Sequence, residues 1–416
     1  MNTAPRYLFP LAVRLRPSPL VCAMLVLLEV LLGLAIPETF ALRVLHVENY
    51  GVDSATCGHA SAPCRSISQA VANASEGDRI VVGPGRYGDL NGNGIVEPGE
   101  EAAEAGVGCN CLIKLNKRAT LESSGGAAAT VIDQGSANVA HGIRIQANGV
   151  VFGKEKKGFT FDRRLTIDNS TSDVTVMDNV ASASDGLFVN GSGHNVSGNV
   201  TRALFVEGSS HTIRENFASG GTASVIFHIS GSGHLVAGNV ATDGPEGFVI
   251  EGSGHRIYEN ATSASVIGIR INGTGHVFTG NVVSGSNGNG VEVQGINHRL
   301  SENTITGVGA DALQISGSGH EILLNAVVGN PGFGIAAYVN AVTITRNNIY
   351  GNGTNVGNCG LVNRSGTTLI AQGNFWGAAS GPGPDPADAV CNIPPSTTIV
   401  DPVATKPFTI PVRAGR

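Results

Sequence analysis

Between residues 187 and 315, pairs of apolar side chains recur with one residue between them: Leu187/Val189, Leu204/Val206, Phe227/Ile229, Phe248/Ile250, Ile269/Ile271, Val291/Val293 and Leu313/Ile315. An apolar residue at every second position marks a strand with one buried face. Each pair is followed by a tetrad that opens with glycine and closes with histidine, such as "GSGH" at 231–234. Two residues after each histidine stands another apolar residue: Val196, Ile213, Val236, Ile257, Phe278, Leu300 or Ile322. Five residues after each histidine stands asparagine. Each unit is therefore predicted to hold a strand, a tight turn, a second strand and another turn.

The asparagines run from Asn179 to Asn347 in eight steps covering 168 residues, a mean of 21. A fixed period of this length means that each unit buries its apolar face only against its neighbours, so the prediction is a solenoid of stacked strands. Leucine-rich repeats have a similar length, but their leucine spacing and helical segment are missing. A propeller blade needs about twice the period. Stacking sets equivalent residues about 4.8 Å apart, the spacing of neighbouring strands. The asparagine is expected at a turn, in the left-handed conformation, with its amide bonded to the next coil.

The flanks extend the pattern. "CRSISQAVANASEGDRIVVGPGRYGD" at 64–89 holds a short amphipathic helix at 66–74 and a first strand at 80–82. "LIKLNKRATLESSGGAAATVID" at 112–133 and "GIRIQANGVVF" at 142–152 fit early, less regular coils, and "NNIYGN" at 347–352 and "GNFWGAASGPGP" at 373–384 fit a closing end. Together these segments and the repeat resemble the right-handed parallel β-helix proteins of the pectin-lyase-like superfamily. The resemblance covers roughly residues 44–402. It implies an all-β, right-handed parallel β-helix with a short N-terminal capping helix. Activity is left open, because this architecture hosts lyases, hydrolases, epimerases, adhesins and non-enzymes.

Composition agrees with a body made of turns and strands. Glycine supplies 58 of 416 residues and charged residues 14%, against usual shares of about 7% and about 25%. The net charge of −6 leaves no basic footprint for nucleic acid. Residues 1–41 read as an export signal: Arg6, Arg14 and Arg16 precede the apolar run 20–36, and "TFA" at 39–41 offers small residues for cleavage after Ala41. Membrane contact is expected only if that segment stays uncleaved. Beyond it lie a coil region at 42–402 and a tail at 403–416, and a monomer located at the cell surface, in the periplasm or in the medium is expected.

Six cysteines remain after Ala41, and an even count in an exported chain points to disulfides. Cys57 with Cys64 and Cys359 with Cys391 are the expected bridges. Cys109 and Cys111 sit too close in sequence for a comfortable bridge to each other.

Residues 89–100, "DLNGNGIVEPGE", match the EF-hand loop pattern at every specified position. Asp89, Asn91 and Asn93 would give side-chain oxygens, Gly94 the sharp turn, Ile95 its carbonyl, Glu97 a direct or water-bridged ligand, and Glu100 both carboxylate oxygens. The flanks do not read as a helix pair. A Ca2+ loop inserted between the first coils, holding a turn, is the expectation.

The seven tetrad histidines, from His194 to His320, form a column. One β-helix relative, the periplasmic protein of nitrous oxide reductase maturation, is linked to copper. Ligands of one metal must converge, however, whereas neighbours in a ladder project in parallel. The column is therefore read as a turn-filling stack that resists protonation. Outward positions of the first strand give a possible carbohydrate face: Phe188, Phe205, His228, Arg270 and Glu292, with Glu207 and Glu251 in the adjoining column. Glu207 and Glu251 lie two coils apart, about 10 Å, too far for a retaining carboxylate pair. "GSGH" recurs too often to mark one catalytic site. The expected function is a non-catalytic surface protein binding polysaccharide or a surface partner. The alternative is a polysaccharide lyase or epimerase acting on uronic-acid polymers.

Overall fold

The computed structural model describes residues 42–96, 100, 101, 109, 111–133, 135, 141–182, 186–221, 225–339 and 341–412. The proposed export signal and Glu97 lie outside the described residues. All elements below belong to the compact unit that begins at Arg43. Among the described residues no helix is long and apolar enough to cross a membrane.

The alternating pairs form strands, and the coils of the repeat share the same three. Leu204–Ser209, Thr212–Arg214 and Phe217–Ser219 make one coil; Val225–Ser232, Leu235–Ala237 and Val240–Thr242 make the next. Stacking these coils builds three parallel sheets of 13, 13 and 12 strands. In the first sheet Leu204 pairs with Phe227 and Val206 with Ile229, so inward residues fall on inward residues. The core is this superposition: Leu204, Val206, Ile213 and Ala218 are all buried, as are Phe227, Ile229, Val236 and Ala241 below them.

Volume is balanced across the bore. The third sheet contributes small inward residues, Ala218, Ala241 and Thr262, opposite the stacked rings of Phe227 and Phe248, whose centroids are 4.6 Å apart. Further along, the third sheet supplies Val283, Ile305 and Val327, and the first sheet returns to Ile269, Val291 and Leu313. Native interiors reach close packing only through such exchange of large for small.

The first glycine of each tetrad is obligatory. A Cβ on Gly231 would stand 2.0 Å from the carbonyl oxygen of Gly208, and one on Gly252 would stand 2.0 Å from that of Gly231. These glycines let one turn lie directly on the next.

The N-terminal helix is Ile67–Asn73, capped by the Ser66 side chain accepting from the Gln69 N–H. The first strand of the region quoted above is Arg79–Val82. At the other end, the N–H of Phe408 donates to Asn348 Oδ1 at 2.9 Å, folding the tail back along the third sheet. Cys57–Cys64 and Cys359–Cys391 are bridged as expected. The expectation for Cys109 and Cys111 is corrected: they are joined to each other. Their Cα atoms lie 5.2 Å apart, inside the ordinary range of about 4.4–6.8 Å.

Candidate functional site

The asparagine column is a ladder of amides. Asn239 Nδ2 donates to Asn260 Oδ1 at 2.9 Å and Asn260 Nδ2 to Asn281 Oδ1 at 3.0 Å, while each backbone N–H donates to the same neighbouring oxygen. The expected left-handed conformation belongs to the preceding residue instead, as at Glu215, Glu259 and Glu302. That residue makes the turn, which frees the asparagine side chain to point inward. The ladder also continues past the repeat, from Asn347 to Asn374.

The histidines stack at the other end of the short strands, such as Leu235–Ala237, that separate them from the asparagines, with ring centroids 4.7 to 5.0 Å apart. The backbone N–H of His234 donates to His255 Nδ1 at 3.1 Å, and His255 Nε2 lies 2.7 Å from the Glu251 carbonyl oxygen. Because Nδ1 accepts an N–H, the ring proton sits on Nε2 and is donated to that carbonyl. The same pair of bonds recurs along the column. Burial, and secondarily the neighbouring rings, hold His211, His234, His276 and His298 down at about 4.

The 89–100 segment follows the third-sheet strand Gly85–Gly88. Asp89 is 1% exposed. Its Oδ1 accepts the N–H groups of Gly92 and Asn93 at 2.8 and 3.2 Å, and its Oδ2 accepts that of Gly94 at 2.7 Å. Glu100 Oε1 accepts from Leu90 and Asn91 at 2.9 and 3.3 Å. Asn91 and Asn93 fold their side-chain oxygens onto the N–H groups of Asn93 and Ile95. Gly94 has φ +88°. These are hard oxygen donors around a tight turn; Asp89 Oδ1 spends both lone pairs on N–H groups, so a cation there would be taken by Oδ2 and by the oxygens of Asn91, Asn93 and Glu100. The donor set fits Ca2+. Arg86, 3.9 Å from Asp89 and paired with Asp133, works against it by adding positive charge.

The next residue was not singled out by the motif. Glu101 is buried, and its two oxygens accept the N–H groups of Ile67 and Ser68 at 2.6 and 2.9 Å and the Ser68 hydroxyl at 2.6 Å. Burial raises this carboxyl to about 6. The insertion thus reaches across to cap the N-terminal helix, a contact 34 residues away that no local pattern carries.

On the first sheet the register aligns Phe188 with Phe205, Phe205 with His228, Val249 with Arg270, and Arg270 with Glu292. Phe188 and Phe205 stack at 4.7 Å, and the Arg164 guanidinium covers Phe188 at 4.2 Å. His228 meets Phe205 edge-on at 6.3 Å, and its Nε2 lies 3.0 Å from Glu251 Oε2. Arg270 is held between Glu292 at 3.0 Å and Glu246 at 2.8 Å. Glu207 is exposed and pairs in register with Ser230. Arg164 and Glu246 escaped the strand periodicity because they lie at strand starts, where a turn directs the side chain.

A family model described as periplasmic copper-binding protein (NosD) matches residues 204–381. The chain folds as an all-β, right-handed parallel β-helix. Among solved structures the β-helix is similar to the A-module of mannuronan C-5 epimerase AlgE4 from Azotobacter vinelandii, at 14% identity over 82% of this chain and 91% of that one, TM-score 0.36. It is also similar to a rhamnogalacturonan lyase, at 12% identity over 88% of this chain and 89% of that one, TM-score 0.35. No curated protein matches the β-helix.

Proposed function

We propose that this β-helix is an exported, non-catalytic protein that binds polysaccharide on its first-sheet face, with a Ca2+ ion stiffening the 89–100 turn. The observation that carries the first part is the Phe188/Phe205 stack, held by strand pairing and flanked by Arg164, His228 and Glu251. Aromatic rings on rigid strands offer large contact area at small entropic cost, and neighbouring polar groups orient a hydroxylated ligand. Export is supported by three disulfides and by the match to a family described as periplasmic. The Ca2+ reading is supported by the oxygen donors gathered from Asp89 to Glu100.

One contact favours the second reading, a lyase or epimerase: a histidine aligned by a carboxylate, as in His228–Glu251, can accept a proton. Both readings are tested with the purified chain on a panel of neutral and uronic-acid polysaccharides. Binding without ultraviolet-absorbing unsaturated product and without inversion of the uronic-acid residues, weakened tenfold or more in Phe188→Ala/Phe205→Ala, is expected. Product formation lost in His228→Ala would establish the lyase. Absence of both binding and product would overturn the face as a carbohydrate site.

A further inference from the structure

The segment that matches a copper-binding family, residues 204–381, carries six of the seven column histidines together with His228. Copper ligation needs the free lone pair of a neutral imidazole, or a thiolate or thioether for the reduced ion. The segment contains no methionine, and its one cysteine, Cys359, is bridged to Cys391. Histidine is the remaining soft or borderline donor, so the state of the column decides the matter.

Each imidazole has a single ring lone pair once its other nitrogen carries hydrogen. In the column that lone pair is used. His211 Nδ1 accepts the His194 N–H at 3.1 Å, His276 Nδ1 accepts that of His255 at 3.1 Å, and His320 Nδ1 accepts that of His298 at 3.2 Å. The protonated Nε2 is equally committed, to the carbonyl oxygens of Glu207, Asn272 and Ser316 at 3.1, 3.0 and 2.9 Å. The intervening rungs repeat the pattern. Rings stacked within 10° of parallel cannot turn two nitrogens toward one ion. Among the described residues the one close group of three metal-type side chains is Asp53, Cys57 and Cys64, and both of those cysteines are in a disulfide.

We infer that the histidine column does not bind copper: its rings are backbone staples, fixed as Nε2–H tautomers, that join each coil's N–H to the next coil's carbonyl. This goes beyond the carbohydrate reading and stands independently of it. His228, on the open face, is the histidine of the matched segment that lies outside the staple.

The test is nuclear magnetic resonance of the full exported chain with ¹⁵N-labelled histidine at neutral pH, before and after stoichiometric Cu(I) and, in a separate sample, Zn2+ as a second imidazole-seeking ion. Expected are column resonances with a protonated Nε2 and an unprotonated Nδ1 that do not move with either metal, in the parent and in His228→Ala alike. Shifts confined to His228 agree with the inference. Movement of the column Nδ1 or Nε2 resonances on metal addition, or a protonated Nδ1 in the metal-free protein, would overturn it.

Discussion

The backbone N–H of His234 is satisfied not by a carbonyl but by the imidazole of His255, one coil further on, at 3.1 Å. A side chain thereby does the work of a carbonyl at the one position between the inter-coil backbone bonds of Gly233 and Leu235. Buried backbone donors need such partners.

Stability should therefore fall in mild acid. In the folded chain His211, His234, His276 and His298 take up protons only near pH 4, whereas their ordinary value is 6.5. The unfolded chain binds more protons between those values, so the column's contribution is whole above about pH 6.5, shrinks as pH falls, and levels off below about 4. Each unit of separation is worth about 1.4 kcal/mol per independent group. Glu101 acts oppositely: it is raised to about 6, so its contribution is present below about 4.5 and is lost as pH rises through about 6. Several histidines outweigh one carboxyl. Urea midpoints measured from pH 7.5 to 4.5 should fall steadily, and a flat profile would contradict the column's neutrality.

Removing one amide rung should be costly. Asn260→Ala deletes the acceptor of the Asn239 N–H and side chain and the donor to the Val236 and Tyr258 carbonyls at 3.0 and 3.1 Å. Orphaned buried groups cost about 1–3 kcal/mol each, so a loss of about 3 kcal/mol or more is expected in chemical denaturation. Asn272→Ala, on the exposed face, should stay within about 0.5 kcal/mol.

Calcium should raise the thermal midpoint through the 89–100 turn. At a hundred times its dissociation constant, a ligand specific for the folded state adds about 2.7 kcal/mol. Glu100→Gln should abolish the difference between calcium and chelator. Equal midpoints in the parent with and without calcium would remove the site.

Glu101→Ala should loosen the N-terminal helix while leaving the coils intact. It removes the acceptors of the Ile67 and Ser68 N–H groups. Hydrogen exchange at 67–73 should accelerate roughly tenfold or more, corresponding to about 1.4 kcal/mol or above, with exchange in the strand Leu235–Ala237 unchanged. Unaltered exchange in the helix would show that Ser66 suffices as its cap.

The coils were legible in the sequence because strand periodicity and turn glycines are local: Leu204/Val206 and Phe227/Ile229 each declare a buried face without reference to anything distant. Copies about 21 residues apart also disclosed that histidine and asparagine would stack. The sequence by itself thus determined the strand order, the coil length and the composition of both columns. Only the tertiary structure decided how those columns are bonded. It assigned each imidazole lone pair to a neighbouring backbone N–H, moved the left-handed turn to the residue before each asparagine, set Arg270 between Glu246 and Glu292, and brought Glu101 to the helix at Ile67. These facts depend on hydrogen-bond direction and on contacts between residues distant in the chain, which side-chain periodicity does not encode.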